Sequence, residues 1–425
     1  MKSHGNLVLL GKDNVSKTYE IKEFLNRNLA HFSCFEVGHD PEAQTLIEEH
    51  KLQIAKYPVL IFEDGYLLED PDLLQVANAI GLHSTPENNY YDLVILGMGP
   101  AGLATAIYAG SEGLKTLVIE RHSPGGRAGS TSLIENLIAH PDGITGAEFS
   151  ERSRKQAEKF GVEFVVPVEI TDIITEDDHF NLSLSSGAFV SARSVIIAVG
   201  VRYRLLQIPG IEKFLGSCIF YGSAMTEGKR NEGKEVFVVG GANSAGQAAM
   251  YFSRFAKKVT LIVRSESLSK RMSHYLIEEI SKTPNIEVMT QSEIITVNGE
   301  NKLESLDIKN SSSGRTRTFP ADNLFLLIGG QPNVDGLASR LLRDKNGFIV
   351  TGSDLEKHER FSSEWTIDRH PLSLETNFPG IFAIGDVRAN TAKRMAAAIG
   401  DGANAVNQVA EYFTLQKLTP PQNEL

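Results

Sequence analysis

The stretch DLVILGMGPAGLATAIYAG, Asp92 to Gly110, decides the fold of the central part of the chain. An apolar run followed by glycines and an alanine-rich run predicts a strand, a tight turn and a helix. Gly97 permits the turn, Gly99 lets a pyrophosphate approach the backbone, and Gly102 allows close packing of helix on strand. The helix N-terminus would face the phosphates. The stretch therefore predicts a dinucleotide-binding unit.

An acidic residue follows at the distance that such a unit requires. The segment KTLVIE, 115–120, predicts the next strand and ends in Glu120, which is 18 residues after Gly102. A carboxylate at this place accepts hydrogen bonds from ribose hydroxyls. The uncharged run 93–111 is nearly long enough to span a membrane. Its glycines and proline lie where the strand turns into the helix, which favours the strand–turn–helix unit over a membrane span.

A second unit of similar design begins at Glu235 with EVFVVGGANSAGQAAMYF. Ala242 replaces the middle glycine, so a methyl group lies where the pyrophosphate should approach. The strand VTLIV ends in Arg264 and Ser265 rather than in an acid, which favours NADPH over NADH because both groups suit a 2′-phosphate. A vestigial site that binds nothing is the alternative. The predicted NADPH residues are Gly240, Gly241, Ala242, Asn243, Ser244, Ala245, Arg264, Ser265, Lys270 and Arg271.

The segment GIFAIGDVR, 380–388, predicts a strand that delivers Asp386 at its end, followed by an alanine-rich helix. Asp386 could hold the ribityl chain of a flavin, with the helix N-terminus near the flavin pyrimidine, where reduction builds negative charge. The alternative interpretation is that Asp386 is only the N-cap of the helix.

Before residue 85 the predicted elements follow the order βαβαββα, and a hairpin turns at Asp64 and Gly65. This order resembles the thioredoxin or glutaredoxin fold, and Tyr57-Pro58 stands where that fold carries a cis-proline. The dithiol of that fold would lie near residues 13–17, where there is no cysteine. Cys34 lies within the second predicted strand, and we expect it to be a small buried side chain.

Composition excludes several classes of protein. The net charge of −11 over 425 residues argues against nucleic acid or an anionic membrane as the main partner. The two cysteines, Cys34 and Cys218, suit a reducing compartment, and the first residues lack the pattern of a signal peptide, so we expect a cytoplasmic location. The histidines show no metal-ligand spacing, and no metal site is predicted.

Together the segments GMGPAG, GGRAGSTSLIEN (125–136), VIIAVG (195–200), VVGGANSA (238–245), LLIGGQPN (326–333) and GIFAIGDVR resemble the low-molecular-weight thioredoxin reductases over about residues 90–413. The resemblance implies non-covalent FAD, NADPH on a smaller inserted domain, and a homodimer. Met395 departs from the glutamine of the family. The FAD residues implied by the motif and the resemblance are Gly97, Gly99, Pro100, Ala101, Gly102, Glu120, Arg121, Gly126, Arg127, Ala128, Asn136, Val168, Gly385, Asp386, Arg394, Met395 and Ala396.

The expected fold class is α/β, with two Rossmann-like dinucleotide-binding domains, the NADPH domain inserted in the FAD domain, and an N-terminal thioredoxin-like α/β domain. The expected bounds are 1–84 for the thioredoxin-like domain, 85–89 for a linker, 90–205 and 324–425 for the FAD domain, and 206–323 for the NADPH domain.

In the family a Cys-x-x-Cys lies about 14 residues before the first glycine of the NADPH motif, followed by an acid. Here Ser223 and Thr226 occupy those positions, and Glu227 stands at the acid. Hydroxyl groups cannot form a reversible disulfide, so the family's dithiol relay cannot operate. The sequence predicts hydride transfer from NADPH to FAD and then to an unidentified acceptor: oxygen, a quinone, another small molecule or a redox protein. We expect one resting arrangement of the two nucleotide domains.

Two alternatives remain open from the sequence. The first is a non-catalytic or regulatory flavoprotein whose thioredoxin-like module binds a partner protein. The second is a monooxygenase, or a thiol enzyme that uses Cys218 together with a thiol of another protein, although Cys218 is better explained as a buried structural residue.

Overall fold

The computed structural model describes residues 7–12, 15–52, 57–131, 133–176, 178–222, 228–300, 302–332, 334 and 340–416. Within these ranges the strands form five sheets, which have four, seven, two, five and three strands. Two of them, the seven-stranded and the five-stranded sheets, carry the two glycine-rich turns. We call them the first and the second nucleotide sheet.

The N-terminal unit, the described residues of 7–82, forms the four-stranded sheet. Strands β1 and β2 are parallel, β3 is antiparallel to β1, and the strand order is β2-β1-β3-β4. The hairpin and the order βαβαββα are those that the sequence predicts, and the Tyr57-Pro58 bond is cis. The elements are β1 (Leu7–Gly11), α1 (Ser16–Arg27), β2 (Phe32–Glu36), α2 (Pro41–Glu49), β3 (Val59–Ile61), β4 (Leu67–Glu69) and α3 (Leu73–Ala79).

The expected burial of Cys34 is wrong, because its side chain is exposed. Strand β2 lies at the edge of its sheet and pairs only with β1 among the described strands. An edge strand loses less solvent contact than a central one, so its small side chains need not enter the core.

The first nucleotide sheet begins with the predicted strand–helix–strand unit. Strands β7, β6, β5 and β10 pair in parallel, and β8 and β9 extend the sheet as an antiparallel meander. The elements are β5 (Tyr90–Leu96), α4 (Pro100–Ser111), β6 (Thr116–Ile119), α5 (Gly146–Glu158), β7 (Glu163–Val165), β8 (Ile170–Thr175), β9 (Phe180–Leu184) and β10 (Phe189–Ile197).

The second nucleotide sheet is parallel throughout, in the order β12-β19-β13-β14-β15. An antiparallel three-stranded sheet, β16 to β18, follows it in the chain, and β11 pairs with β20. The elements are β11 (Val201–Tyr203), β12 (Ile219–Tyr221), β13 (Glu235–Val239), α6 (Asn243–Phe252), β14 (Lys258–Ile262), α7 (His274–Lys282), β15 (Ile286–Met289), β16 (Ser292–Asn298), β17 (Ser305–Asn310), β18 (Thr316–Pro320), β19 (Asn323–Leu326) and β20 (Gly330–Pro332).

Strand β19 corrects the expected boundary at residue 324. We assigned residues from 324 onward to the FAD domain, but β19 pairs in parallel with both β12 and β13 of the second nucleotide sheet. The chain leaves that sheet after Leu326 and pairs again at Gly330–Pro332, where β20 meets β11. The apolar run through 324–328 does not itself specify which sheet it joins.

The C-terminal segment returns to the first nucleotide sheet. It contains α8 (Phe361–Glu364), β21 (Ile381–Ala383) and α9 (Met395–Leu415), and β21 pairs in parallel with β10. The first nucleotide sheet therefore contains strands that precede the second sheet in the chain and a strand, β21, that follows it. This order is the one expected when one domain is inserted in another. No helix in the described part of the chain combines the length and hydropathy needed to cross a membrane.

Candidate functional site

The first glycine-rich turn joins β5 to α4 and has no room for side chains. Gly97 has φ 106°, and a Cβ built on it would lie 2.6 Å from the Ala198 carbonyl oxygen. A Cβ on Gly102 would lie 2.0 Å from the Gly97 carbonyl oxygen. These contacts require glycine at 97 and 102, and they bring the N-terminus of α4, with Pro100 and Ala101, to the carboxyl end of β5.

Glu120 lies directly after β6 and is 8% exposed. One carboxylate oxygen accepts a hydrogen bond from the Met98 backbone N–H at 2.8 Å, and the other from the His122 N–H at 2.9 Å. Each oxygen keeps a second lone pair, which suits the two hydroxyls of a ribose. The buried Val168 donates its N–H to the Glu120 carbonyl at 2.9 Å, which brings it to the same place.

A second loop closes on the first turn. The Gly125 N–H donates to the Met98 carbonyl at 2.8 Å, and a Cβ on Gly126 would lie 3.2 Å from the Gly99 Cα. The loop continues through Arg127 into a 3-10 turn over Ala128–Ser130. The segments that carry Gly99 and Gly126 thus face each other with no side chain between them. A pyrophosphate could enter the space beside this exposed backbone, and a side chain on Gly99 would obstruct it.

The C-terminal turn completes this region. A Cβ on Gly385 would lie 3.0 Å from the Ala101 Cβ, so residues 385–387 pack against the start of α4. Asp386 lies in this 3-10 turn, whereas α9 begins at Met395 with Arg394 as its N-cap residue. Asp386 therefore does not cap the helix, which excludes the alternative interpretation of this residue.

Burial raises the pKa of Asp386 above its ordinary value, and the charges of Lys393 and Arg127 oppose that shift. The carboxylate is thus within electrostatic range of Arg127, which belongs to the loop that faces Gly99. The structure brings the two parts of the predicted FAD site together around this pair.

Two residues that contact this turn, Lys393 and Asp401, do not occur among the predicted site residues. The Asp401 carboxylate accepts from the Gly385 N–H at 3.0 Å and pairs with the Arg388 guanidinium at 3.1 Å. The Lys393 ammonium donates to the carbonyls of Asp386 and Arg388 at 2.8 and 2.6 Å. Both act through the backbone of residues 385–388, and no motif in the sequence indicates such a contact.

The remaining predicted residues are less enclosed. The loop that carries Asn136 packs Ile134 and Leu137 against Met395, while Asn136 itself is exposed. Arg394 and Ala396 are exposed at the start of α9. The exposed Arg121 side chain forms an ion pair with Glu169 at 3.5 Å. The enclosed residues, with their bare backbone and two carboxylates, fit FAD.

The second glycine-rich turn has the same backbone path but is more open. Gly240 has φ 152°, and a Cβ on it would lie 2.6 Å from the Leu327 carbonyl oxygen. Ala242 is the N-cap residue of α6 and is exposed, and Ser244, two residues further on, is exposed as well. The buried Ala245 packs below the turn. The methyl group of Ala242 is therefore exposed at the N-terminus of α6.

Three cationic side chains follow β14, the strand that pairs with β13 beside this turn. Arg264, Lys270 and Arg271 are exposed, and among the described residues no carboxylate lies within ion-pair distance of them. A Cβ on Gly241 would lie 3.9 Å from the Ser265 hydroxyl oxygen. Asn243 exchanges two hydrogen bonds with Ser273, at 2.8 and 2.7 Å, which fasten the start of α6 to the start of α7. This donor set fits a phosphorylated nucleotide.

The predicted dithiol positions Ser223 and Thr226, with the adjacent Glu227, lie outside the described residues. Cys218 is half-buried and packs against the core of the second nucleotide sheet. Its carbonyl accepts the Leu324 N–H at 2.9 Å, a backbone role that needs no thiol.

Comparisons with known proteins place the chain in a family. The family described as pyridine nucleotide-disulphide oxidoreductase matches residues 91–402. A thioredoxin reductase of Treponema pallidum (strain Nichols) is 35% identical over 77% of this chain and 98% of its own length. A "34.2 kDa protein in rubredoxin operon" of Clostridium pasteurianum is 31% identical over 77% of this chain and 98% of its own length.

Solved structures agree with this assignment. The "Lactococcus lactis Thioredoxin Reductase (FR conformation)" is similar with TM-score 0.68 and 29% identity, over 76% of this chain and 99% of that one. The thioredoxin reductase of T. acidophilum has the same fold, with TM-score 0.68, 24% identity, and coverage of 77% and 100%. The chain therefore belongs to the pyridine nucleotide-disulphide oxidoreductase family, among the relatives of the thioredoxin reductases.

Proposed function

We propose that the chain is an FAD-dependent NADPH oxidoreductase that passes electrons to an acceptor other than a disulfide. When bound, FAD would accept a hydride from NADPH and pass the electrons to the acceptor. One observation carries the proposal. The chain keeps both dinucleotide-binding units, but its two cysteines, Cys34 and Cys218, cannot form a Cys-x-x-Cys pair.

The residues of the first unit would hold FAD. Gly99 and Gly126 would admit the pyrophosphate to the backbone, and Glu120 would accept hydrogen bonds from the ribose. Asp386 would accept hydrogen bonds from ribityl hydroxyls. Asp401 and Lys393 would act on FAD as positioning residues, through their hydrogen bonds to the turn and through the charge of Lys393 near Asp386.

The residues of the second unit would bind NADPH. Arg264 and Ser265 stand where a 2′-phosphate would lie, and the N-terminus of α6 would face the pyrophosphate. The exposure of Arg264 and Ala242 suits a nucleotide that exchanges in every turnover.

We further propose that the N-terminal unit is a thioredoxin-like module without redox activity, and that the protein is a homodimer. The strand order β2-β1-β3-β4 and the element order support the first point. The relatives named thioredoxin reductase support the second.

A regulatory flavoprotein is the second candidate function. The exposed methyl group of Ala242 favours it, because a weakened NADPH site would slow turnover without removing FAD. Sustained NADPH oxidation with a simple acceptor separates the two candidates.

The test compares acceptors under one set of conditions. The purified protein is supplied with NADPH and with ferricyanide, a benzoquinone, oxygen or an aromatic disulfide. We expect turnover with at least one of the first three acceptors and none with the disulfide. Cys218→Ser should leave the rates unchanged. Disulfide reduction that disappears in Cys218→Ser would overturn the proposal.

A further inference from the structure

Helix α1 of the N-terminal unit reaches the predicted FAD loop through one side chain. The Arg27 Nη2 atom lies within hydrogen-bond distance of the carbonyl oxygens of Ser123, Pro124 and Gly126, at 3.1, 2.9 and 2.7 Å. A guanidinium is always charged, and charge-assisted hydrogen bonds are about twice as strong as neutral ones. Arg27 therefore holds three carbonyl groups of one short stretch, 123–126, around one cation.

The residues around Arg27 leave space for its guanidinium and place a carboxylate near it. A Cβ on Gly129 would lie 2.7 Å from the Pro124 carbonyl oxygen and 3.4 Å from the Arg27 Nη2 atom, so a side chain at 129 would crowd a carbonyl that the guanidinium contacts. Glu23, one helical turn earlier, lies 3.9 Å from the Nη1 atom. Burial and, to a smaller extent, the charges of Arg27 and Arg121 together lower the pKa of His122 to about 4. The imidazole is therefore neutral at pH 7 and does not repel the guanidinium.

The loop that Arg27 holds is the same loop that closes on Gly99. In a trans peptide the carbonyl and the N–H point in opposite directions. Because the Gly126 carbonyl points at Arg27, the N–H of Arg127 points away from it. Arg27 thus sets the direction in which this part of the loop offers its backbone donor.

The other end of α1 contacts the second nucleotide sheet. The Tyr19 ring lies 4.9 Å from that of Phe220, which stacks on Phe325 at 5.2 Å, and Phe325 stacks on Phe252 at 4.1 Å. A Cβ on Gly216 would lie 3.0 Å from the Ser16 Cα. Tyr19 therefore extends an aromatic stack that runs through the core of the second sheet. Phe220 is part of β12, three positions before Ser223 in the sequence.

We propose that α1 is a brace between the two nucleotide-binding regions, in which Arg27 positions the FAD-binding loop and Tyr19 fixes the orientation of the NADPH-binding region. This gives the N-terminal unit a role that requires no dithiol. The proposal rests on the proposed function only in its FAD-binding part, since the contacts of Tyr19 do not involve that site.

The FAD-binding part is tested with Arg27→Ala and Arg27→Lys in the full chain. Glu20→Ala is the matched control, because Glu20 is exposed on the same helix. The measurements are the dissociation constant of FAD from reconstituted apoprotein and hydrogen exchange at the amides of residues 125–131. We expect Arg27→Ala to weaken FAD binding about tenfold and to speed exchange at 125–131, with partial recovery in Arg27→Lys.

FAD affinity and exchange in Arg27→Ala equal to wild type would overturn the FAD-binding part. So would an affinity lost equally in Arg27→Lys and in Glu20→Ala, because that would indicate a general effect on folding. If the wild-type protein binds no FAD, the proposed function fails, and accelerated exchange at 125–131 still tests the contact of Arg27 with the loop.

The orientation part is tested with Tyr19→Ala, and Tyr66→Ala is the control because Tyr66 is an exposed tyrosine of the same unit. Small-angle scattering of the FAD-loaded protein should fit one arrangement for wild type and Tyr66→Ala. We expect Tyr19→Ala to increase the radius of gyration and to require more than one arrangement, with FAD content unchanged. A Tyr19→Ala profile that matches wild type would overturn this part.

Discussion

The two glycine-rich units share a backbone path but differ in enclosure. In the first, Glu120 is 8% exposed and holds two backbone N–H groups, and a second loop presses on Gly99. In the second, the polar groups at the end of β14 include the exposed Arg264, and Ala242 faces solvent. The difference agrees with the proposed function, in which FAD would stay bound in the first unit and NADPH would exchange in the second.

The largest expected effect comes from filling the first turn. In Gly102→Ala the new Cβ would lie 2.0 Å from the Gly97 carbonyl oxygen, so the turn must open. We expect FAD content to fall at least about tenfold and the melting temperature to fall by several degrees. Visible absorbance and thermal unfolding measure both quantities.

Gly400→Ala is the control for this change. Gly400 lies within α9, and a Cβ there has no neighbour within 4 Å. Alanine is favoured over glycine in a helix by about 1 kcal/mol, so this variant should be as stable as wild type or more so. Full FAD content in Gly102→Ala would mean that the turn is not the enclosed site described above.

The next effect concerns the buried acid. Glu120→Ala removes the acceptor of the Met98 and His122 N–H groups and of the ribose. A hydrogen bond to a charged group contributes about 1.5–3 kcal/mol, so loss of the contact with the ribose should lower FAD affinity about tenfold or more. Glu112→Ala is the control, because Glu112 is exposed and is not among the predicted site residues. Equal FAD affinity in the two variants would remove the assignment of Glu120.

The second unit should respond in nucleotide selectivity and not in FAD content. Arg264→Ala should raise the KM for NADPH about tenfold, since a hydrogen bond to a charged group contributes about 1.5 kcal/mol. The KM for NADH should remain unchanged. Arg254→Ala, at another exposed arginine, is the control. An unchanged KM for NADPH in Arg264→Ala would remove the reason to assign NADPH rather than NADH to the second unit.

The smallest expected effect is at Ala242. Ala242→Gly removes the methyl group before the N-terminus of α6 and places a better N-cap residue there. We expect NADPH to bind about two- to fivefold more tightly, with FAD content as the internal control. Weaker binding in this variant, measured by titration, would show that the methyl group does not obstruct the nucleotide.

The sequence predicted those parts of the fold in which the residues that determine the structure lie close together in the chain. Gly97, Gly102 and Glu120 lie as the motif requires, because tight turns and buried acceptors restrict the residue at each position. The boundary at 324 was wrong because the sheet that β19 joins depends on partners elsewhere in the chain. The exposure of Cys34 depends in the same way on the place of β2 at the edge of its sheet.

The contacts of Arg27 and Asp401 could not be predicted either. Arg27 meets carbonyls that are 96 to 99 residues away in sequence, and backbone carbonyls occur at every position, so they leave no signature. Asp401 acts on Gly385 through a backbone N–H for the same reason. Contacts between a side chain and a distant backbone group can be found only from the folded structure.

The most direct test of the central claim is an anaerobic titration of the FAD-loaded protein with NADPH, followed by the visible flavin absorbance. A chain with no redox dithiol has FAD as its two-electron acceptor, so bleaching should be complete at one NADPH per FAD. A dithiol would consume a second equivalent. Bleaching that requires two equivalents, or flavin that NADPH does not bleach at all, would contradict the account.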